Sequence, residues 1–237
     1  MILIRMPRMI LCALLSALPL LVAACGPAGE PRPAAALGAA TVANLQQGRL
    51  ASSPRIVFLG DSLTAGLGLP REQAVPSLIQ ERLDAEGFAY EVVNAGVSGD
   101  TSAGGLSRLD WSLDGDVAIL VLELGANDGL RGLPVSQMKR NLSEIIARAQ
   151  QRGIVVIFTG MEAPTNYGIA YTSEFRGVFR DLADEYEVAF VPFFLEGVAG
   201  IPSLNNSDGM HPNAAGAQII AGTIWRALEP VLDTQDR

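Results

Sequence analysis

The sequence predicts a three-layer α/β/α domain with a five-stranded parallel sheet, and three observations lead to this fold class. From residue 55 onward, short runs of branched and aromatic residues alternate with longer stretches of helical periodicity. The short runs contain almost no polar residues, which is typical of strands buried on both faces of a parallel sheet. Glycine and small polar residues follow the runs and mark turns. Because parallel neighbours need right-handed crossovers, the flavodoxin-like strand order 2-1-3-4-5 is favoured.

Five segments have the strand pattern. In chain order they are 56–59, 90–93, 117–124, 154–159 and 188–192. The third segment is the most apolar of them, so we expect it in the centre of the sheet. Glu123 interrupts its apolar pattern, and a buried carboxylate needs a partner. Arg108 is the partner that we predict for it.

Helical segments fill the intervals between the strands. Residues 74–86 have apolar side chains at helical spacing and end at Gly87, a suitable C-cap. Residues 135–151 form the clearest amphipathic pattern, with the apolar residues along one face. Three further helices are expected at about 105–113, at about 173–186 and after Pro212.

The first 54 residues have a different composition from the rest. Arg5 and Arg8 precede an apolar stretch, 9–24, that is shorter than a membrane span, and this is the pattern of an export signal. The stretch ends in Val-Ala-Ala-Cys, which resembles a bacterial lipobox with Cys25 as the residue that receives the lipid. Residues 25–54 are rich in proline, alanine and glycine, so we interpret them as a lipidated cysteine followed by a flexible tether.

The lipobox resemblance implies a location. An exported lipoprotein with Gly26 after the cysteine is expected on the periplasmic side, anchored by lipid in the outer membrane of a Gram-negative cell. An ordinary secretory signal with an incidental cysteine is the alternative.

Composition excludes some functions. The formal net charge is −8, without a basic stripe, which argues against nucleic-acid binding. Cys12 and Cys25 both lie in the N-terminal segment, so no disulfide is expected in the folded domain. If the signal is removed and Cys25 is lipidated, one histidine and no free thiol remain, which cannot build a histidine- or cysteine-rich metal site, and we expect neither a metal nor a cofactor.

Four loops after strands carry residues with distinctive chemistry. They are Ser62, Gly99, Asn127, and Asp208 with His211. The carboxyl edge of a parallel sheet, where such loops meet, is where ligands bind. His211 is the only histidine, so a serine activated by histidine requires it. Asp208 stands three residues earlier and can orient the imidazole.

These blocks carry a resemblance to a known family. The tetrapeptide GDSL at 60–63, followed in order by Gly99, Asn127 and the motif Asp208-x-x-His211, resembles the GDSL, or SGNH, hydrolases. The similarity covers about 55–230 and is greatest to the secreted thioesterase I, lysophospholipase and arylesterase subgroup. It implies that 55–237 is a catalytic domain hydrolysing carboxylic esters or thioesters, with small acyl esters, acyl thioesters and lysophospholipids as candidate substrates.

The resemblance also implies roles. Ser62 is the nucleophile, His211 takes its proton, and Asp208 orients His211. The backbone N–H groups of Ser62 and Gly99 and the amide of Asn127 form the oxyanion hole. Two further candidates, Tyr167 and Met210, line the acyl pocket or pack in the core. We interpret Asp61, Asp100 and Asp128 as structural loop residues.

Alternatives of other classes stay open on the sequence alone. A flavodoxin-like binding module would use the loop at Ser62 to hold a phosphate. A surface lipoprotein without catalysis would only bind partners. A carbohydrate O-acyl esterase would share the fold and the triad.

Overall fold

A five-stranded parallel sheet forms the middle layer of the computed structural model, which describes residues 53–235. The strands are β1 (Arg55–Gly60), β2 (Glu91–Gly96), β3 (Val117–Glu123), β4 (Val155–Thr159) and β5 (Ala189–Val191). Their order is β2-β1-β3-β4-β5, and every neighbouring pair is parallel. The predicted strand order is confirmed.

Helices cover both faces of this sheet. They are α1 (Ser62–Ala65), α2 (Val75–Glu86), α3 (Ser102–Ser107), α4 (Leu109–Ser112), α5 (Ala126–Leu130), α6 (Val135–Gln151), α7 (Ile169–Glu185) and α8 (Ala214–Gln235). Helix α2 packs against α8, while α6 packs against α3 and α7. The apolar face predicted for α6 is observed, since all six of its apolar residues are buried in the core.

The register of the sheet places the ends of three strands at one edge. Gly60 of β1 lies beside Gly96 of β2 and Glu123 of β3. The loops that leave these strands therefore start next to one another, and they carry Ser62, Gly99 and Asn127. This edge positions the site described below.

Several boundaries differ from the sequence prediction. Helices α1 and α5 have four and five residues and stand where turns were expected, because a single helical turn leaves no periodic pattern to read. The helix predicted at about 105–113 is instead two helices, α3 and α4, separated at Arg108. It starts earlier because the Thr101 side chain caps the N–H of Gly104.

The export signal, Cys25 and the tether lie outside the described residues. Across residues 53–235, no helix has both the length and the apolar character that a membrane crossing requires.

Candidate active site

Ser62 stands at the first position of α1, directly after β1. The turn that presents it needs glycine at position 60, since a Cβ there would lie 2.0 Å from Thr64 Oγ1 and 2.6 Å from Glu123 Oε2. Asp61 caps the helix, with its Oδ1 accepting the N–H of Leu63 at 3.0 Å. The serine is thereby fixed at the carboxyl edge of the sheet.

Ser62, His211 and Asp208 form a continuous hydrogen-bonded chain. Ser62 Oγ lies 2.9 Å from His211 Nε2, and His211 Nδ1 lies 2.7 Å from Asp208 Oδ2. Because a carboxylate only accepts, Nδ1 carries the proton and Nε2 is left to accept from the serine hydroxyl. The geometry is that of a nucleophile, a base and an orienting acid.

The carboxylate of Asp208 is held in its charged form. Its Oδ1 accepts the backbone N–H groups of His211 at 3.0 Å and Met210 at 2.9 Å. These bonds, with that from the imidazole, lower the pKa of Asp208 from 3.8 to about 2. Asp208 is therefore anionic at neutral pH.

Hydrogen bonds hold the loop that carries Asp208 and His211. Asn206 donates its backbone N–H to the carbonyl of His211 at 2.7 Å. The buried Asn205 donates its amide to the carbonyls of Val198 and Ile201, both at 2.8 Å. A loop fixed in this way keeps the imidazole over Ser62.

The three groups predicted for an oxyanion hole line one cavity. Ser62, Gly99 and Asn127 all contribute to its wall. Gly99 has a φ of +86°, a region that favours glycine, and its carbonyl accepts Arg131 Nη2 at 2.7 Å. The N–H groups of Ser62 and Gly99 have no protein acceptor in the described part of the chain. They are available to a ligand.

Asn127 is held by another residue of the cavity wall. Its Nδ2 donates one hydrogen bond to Asp61 Oδ2 at 2.9 Å. The next residue, Asp128, is buried and accepts the N–H and the hydroxyl of Ser102 at 2.7 and 2.6 Å. Helix α5 is thus tied both to the loop of Ser62 and to the start of α3.

The cavity itself has a volume of about 620 Å³ and mostly apolar walls. Met210 lines it as proposed from the sequence. Tyr167 does not: its hydroxyl donates to the carbonyl of Leu130 at 2.9 Å, and its ring packs on Tyr171. The sequence analysis missed Met161 and Phe193, which also line the cavity. The one feature of the sequence that could have indicated them is that they follow strands β4 and β5.

The predicted ion pair between Glu123 and Arg108 is wrong. Arg108 pairs with Asp100 at 2.6 Å and donates to the carbonyls of Gly60 and Ala95 at 2.9 and 2.6 Å. It therefore does tie strand ends together, but through carbonyl oxygens. Within residues 53–235, Glu123 has no cationic partner.

Burial disfavours the charged form of Glu123. It is fully buried, its Oε2 accepts from Thr64 Oγ1 and the N–H of Asp61, and its Oε1 has no partner among the described residues. Burial, followed by the nearby charge of Asp61, raises the pKa of Glu123 well above 4.5. A carboxyl group whose neutral form is favoured by burial does not require a cation, which explains the failed prediction.

We expect Glu123→Gln to preserve the fold and to weaken the pH dependence of stability. Because the pKa of Glu123 is raised in the folded state, Glu123 contributes its full stabilisation below about pH 4.5. This stabilisation is lost as pH rises through the raised pKa. Thermal melts at pH 5 and pH 9 should show a smaller drop for the variant than for wild type. An equal drop in both proteins would show that Glu123 is not the titrating group.

The described residues contain no cluster of histidine, cysteine, aspartate or glutamate able to hold a metal ion.

A sequence model of the GDSL-like lipase/acylhydrolase family matches residues 58–219, a span that includes Ser62, Gly99, Asn127, Asp208 and His211. The chain belongs to the GDSL-like lipase/acylhydrolase family.

Named relatives within the GDSL-like family are esterases and thioesterases. The chain is 42% identical to "Esterase TesA" of Pseudomonas aeruginosa, covering 77% of this chain and 91% of the relative. It is 40% identical to an arylesterase of Vibrio mimicus, covering 75% and 89%. Identity to the Escherichia coli "Thioesterase 1/protease 1/lysophospholipase L1" is 35%, covering 78% and 88%.

A solved esterase structure has a similar fold. The esterase EstA from a Pseudoalteromonas species, in a structure inhibited by monoethylphosphonate, is 33% identical and superposes with a TM-score of 0.72, covering 76% of this chain and all of EstA. A flavodoxin-like phosphate module would leave Gly99, Asn127 and His211 without a role at this cavity.

Proposed function

We propose that this chain is a serine esterase that hydrolyses carboxylic ester and thioester bonds. The observation that carries the proposal is the chain of hydrogen bonds from Asp208 through His211 to Ser62, at the wall of an apolar cavity. The names of the relatives, which are esterase, arylesterase and thioesterase, support the same reaction class.

The reaction follows from the positions of these groups. Ser62 Oγ attacks the acyl carbonyl carbon while its proton passes to His211 Nε2, and Asp208 stabilises the imidazolium. The oxygen that becomes negative accepts hydrogen bonds from the N–H groups of Ser62 and Gly99 and from Asn127 Nδ2. The leaving alcohol or thiol takes the proton from His211, and water then hydrolyses the acyl-enzyme by the same steps in reverse order.

The walls of the cavity favour an acyl chain as the bound group. Leu67, Leu130, Met161, Phe193 and Met210 supply an apolar surface near Ser62. Aryl and alkyl esters, acyl thioesters and lysophospholipids all present such a chain. A carbohydrate O-acyl ester offers mainly hydroxyl groups, for which the cavity wall has few partners.

A fluorophosphonate probe tests the proposal. We expect it to modify wild-type Ser62 covalently, detected by mass spectrometry of the peptide, and to block hydrolysis of p-nitrophenyl esters. Ser98→Ala is a matched control, because Ser98 lines the same cavity and is not part of the chain of hydrogen bonds. Folded wild-type protein that neither reacts with the probe nor hydrolyses oxygen esters or thioesters would disprove the function.

We also propose that the enzyme is exported and lipid-anchored at Cys25, on the periplasmic side of an outer membrane. The lipobox-like Val-Ala-Ala-Cys and the preceding apolar stretch support this location. The anchor would hold a hydrolase near membrane lipids, while the tether would let the domain move.

We expect Cys25→Ser to move the protein from the membrane fraction to the soluble fraction without loss of esterase activity. The physical reason is that one residue would carry the lipid, and the proline- and alanine-rich segment 26–54 separates it in sequence from the catalytic domain. Cys12→Ser is the control and should stay in the membrane fraction. An N-terminal peptide of wild type with an unmodified Cys25 would refute the anchor.

A further inference from the structure

The carboxylate of Asp61 contacts both sides of the candidate active site. One oxygen accepts the N–H of Leu63, at the start of the helix that carries Ser62. The other accepts Asn127 Nδ2 at 2.9 Å. The side chain is almost completely buried, so these contacts are shielded from water.

An ionised carboxylate determines which way the amide of Asn127 points. Such a group only accepts hydrogen bonds, so it can face the NH₂ end of the amide and not the carbonyl end. One N–H of that NH₂ group is then bound to Asp61, and the second is free to face the cavity that Asn127 lines. A reversed amide would place two oxygens against each other at Asp61 and would withdraw the second N–H.

Capping of α1 does not explain why this residue is an aspartate. Serine and asparagine cap helices about as well as aspartate does, and neither brings a charge. The charge has a cost here, because burial raises the pKa of Asp61 from 3.8 to about 6. The titratable groups around it are Glu123, Asp100 and His211, and Arg108 donates to the nearby carbonyl of Gly60.

We propose that Asp61 is a positioning residue, which holds the amide of Asn127 with its N–H toward the acyl oxygen that becomes negative during hydrolysis. This inference rests on the proposed esterase function. It assigns to the aspartate of the GDSL tetrapeptide a role in catalysis that acts through Asn127.

Asp61→Asn is the sharpest test. Its single carbonyl oxygen can keep the bond to the N–H of Leu63, but its NH₂ then faces Asn127, so the amide of Asn127 must reverse. We expect kcat for p-nitrophenyl butyrate to fall by about 10- to 100-fold, with KM within about threefold of wild type. Asp61→Ser keeps the cap but cannot reach Asn127, and we expect a loss in kcat of about tenfold.

Two further measurements separate positioning from a structural role. In the Asn127→Ala background, Asp61→Asn should lower kcat by less than about threefold, because the group that it positions is already absent. At pH 8 the Asp61→Asn protein should melt at or above the wild-type temperature. Because the pKa of Asp61 is raised in the folded state, this carboxyl stabilises the fold fully below about pH 3.8, and the stabilisation is lost as pH rises through about 6. At pH 8 the variant therefore has no such stabilisation left to lose.

Asp84→Asn is the matched control, since the carboxylate of Asp84 accepts from Gln80 on the exposed face of α2 and lies outside the cavity wall. This control should be as active as wild type.

Near-wild-type kcat in Asp61→Asn would overturn the proposal. The proposal would also fail if Asp61→Asn lowered kcat as much in the Asn127→Ala background as in the wild-type background. Ser62→Ala is measured in parallel: if it stays active, the esterase function itself fails, whereas an inactive Ser62→Ala with a fully active Asp61→Asn rejects the positioning role alone.

Discussion

Ser62→Ala should lower kcat for ester hydrolysis by on the order of 10⁶, the largest effect that we expect from any substitution. The variant removes the only atom that forms the acyl bond, and the hydrogen bond to His211 Nε2 disappears with it. The fold should survive, because serine and alanine differ by one hydroxyl group. Steady-state kinetics with p-nitrophenyl esters, together with a thermal melt, measures both.

His211→Ala should have a similar effect, and the double variant should lose little more than either single one, because the two side chains act as a unit. In wild type, activity should decline on acidification, since a protonated imidazole cannot take the serine proton. Protonation of Asp208 should add nothing above pH 3, because the pKa of this carboxyl is about 2. Substantial turnover by folded Ser62→Ala protein would remove Ser62 from the mechanism.

The strand order and the meeting of the candidate residues follow from patterns that the sequence displays. The apolar runs of β1, β3 and β4 are long enough to separate strand from helix. Once the strands are parallel, the residues after them share one edge, and the only histidine limits the choice of base. Ser62, Asn127 and His211 therefore converge as expected.

The failed Glu123–Arg108 ion pair has a physical cause, which is that the charge of a side chain depends on its burial. Glu123 would need a cation if it were charged, but complete burial favours its neutral form, and Arg108 binds carbonyl groups instead. For Tyr167 the sequence left pocket lining and packing open, and the structure shows packing, with the hydroxyl donating to the carbonyl of Leu130. The sequence gives neither burial nor the direction of a side chain on a loop.

Polar contacts between neighbouring loops and strand ends fix the carboxyl edge of the sheet. Arg108 binds the ends of β1 and β2, Asp128 joins α5 to α3, and Asp61 joins Asn127 to the helix of Ser62. A site supported in this way does not need to rearrange as charge develops on the substrate, which is the property that an oxyanion hole requires.

Asn127→Ala should lower kcat by about 10²- to 10³-fold, or roughly 3 to 4 kcal/mol, with a smaller change in KM. The reason is that an oxyanion donor acts mainly when the carbonyl oxygen becomes negative, so its loss affects the transition state more than substrate binding. Kinetics over a range of substrate concentrations separates kcat from KM, and a thermal melt checks the fold.

Asn127→Asp distinguishes this role from a simple turn role. Aspartate suits such turns nearly as well as asparagine, so a turn residue would tolerate the change. Here the new carboxylate would lie against Asp61 Oδ2, where the amide now donates at 2.9 Å, and beside the developing oxyanion. We therefore expect a loss in kcat at least as large as that of Asn127→Ala.

The control for this pair of variants is Asn166→Asp, the same chemical change in the exposed turn Thr165–Tyr167, which should leave kcat unchanged. Asn127→Asp and Asn127→Ala should both remain folded, because neither removes a residue of the apolar core. If a folded Asn127→Asp enzyme kept the wild-type kcat, the amide of Asn127 would have no part in stabilising the oxyanion, and only its place in helix α5 would remain.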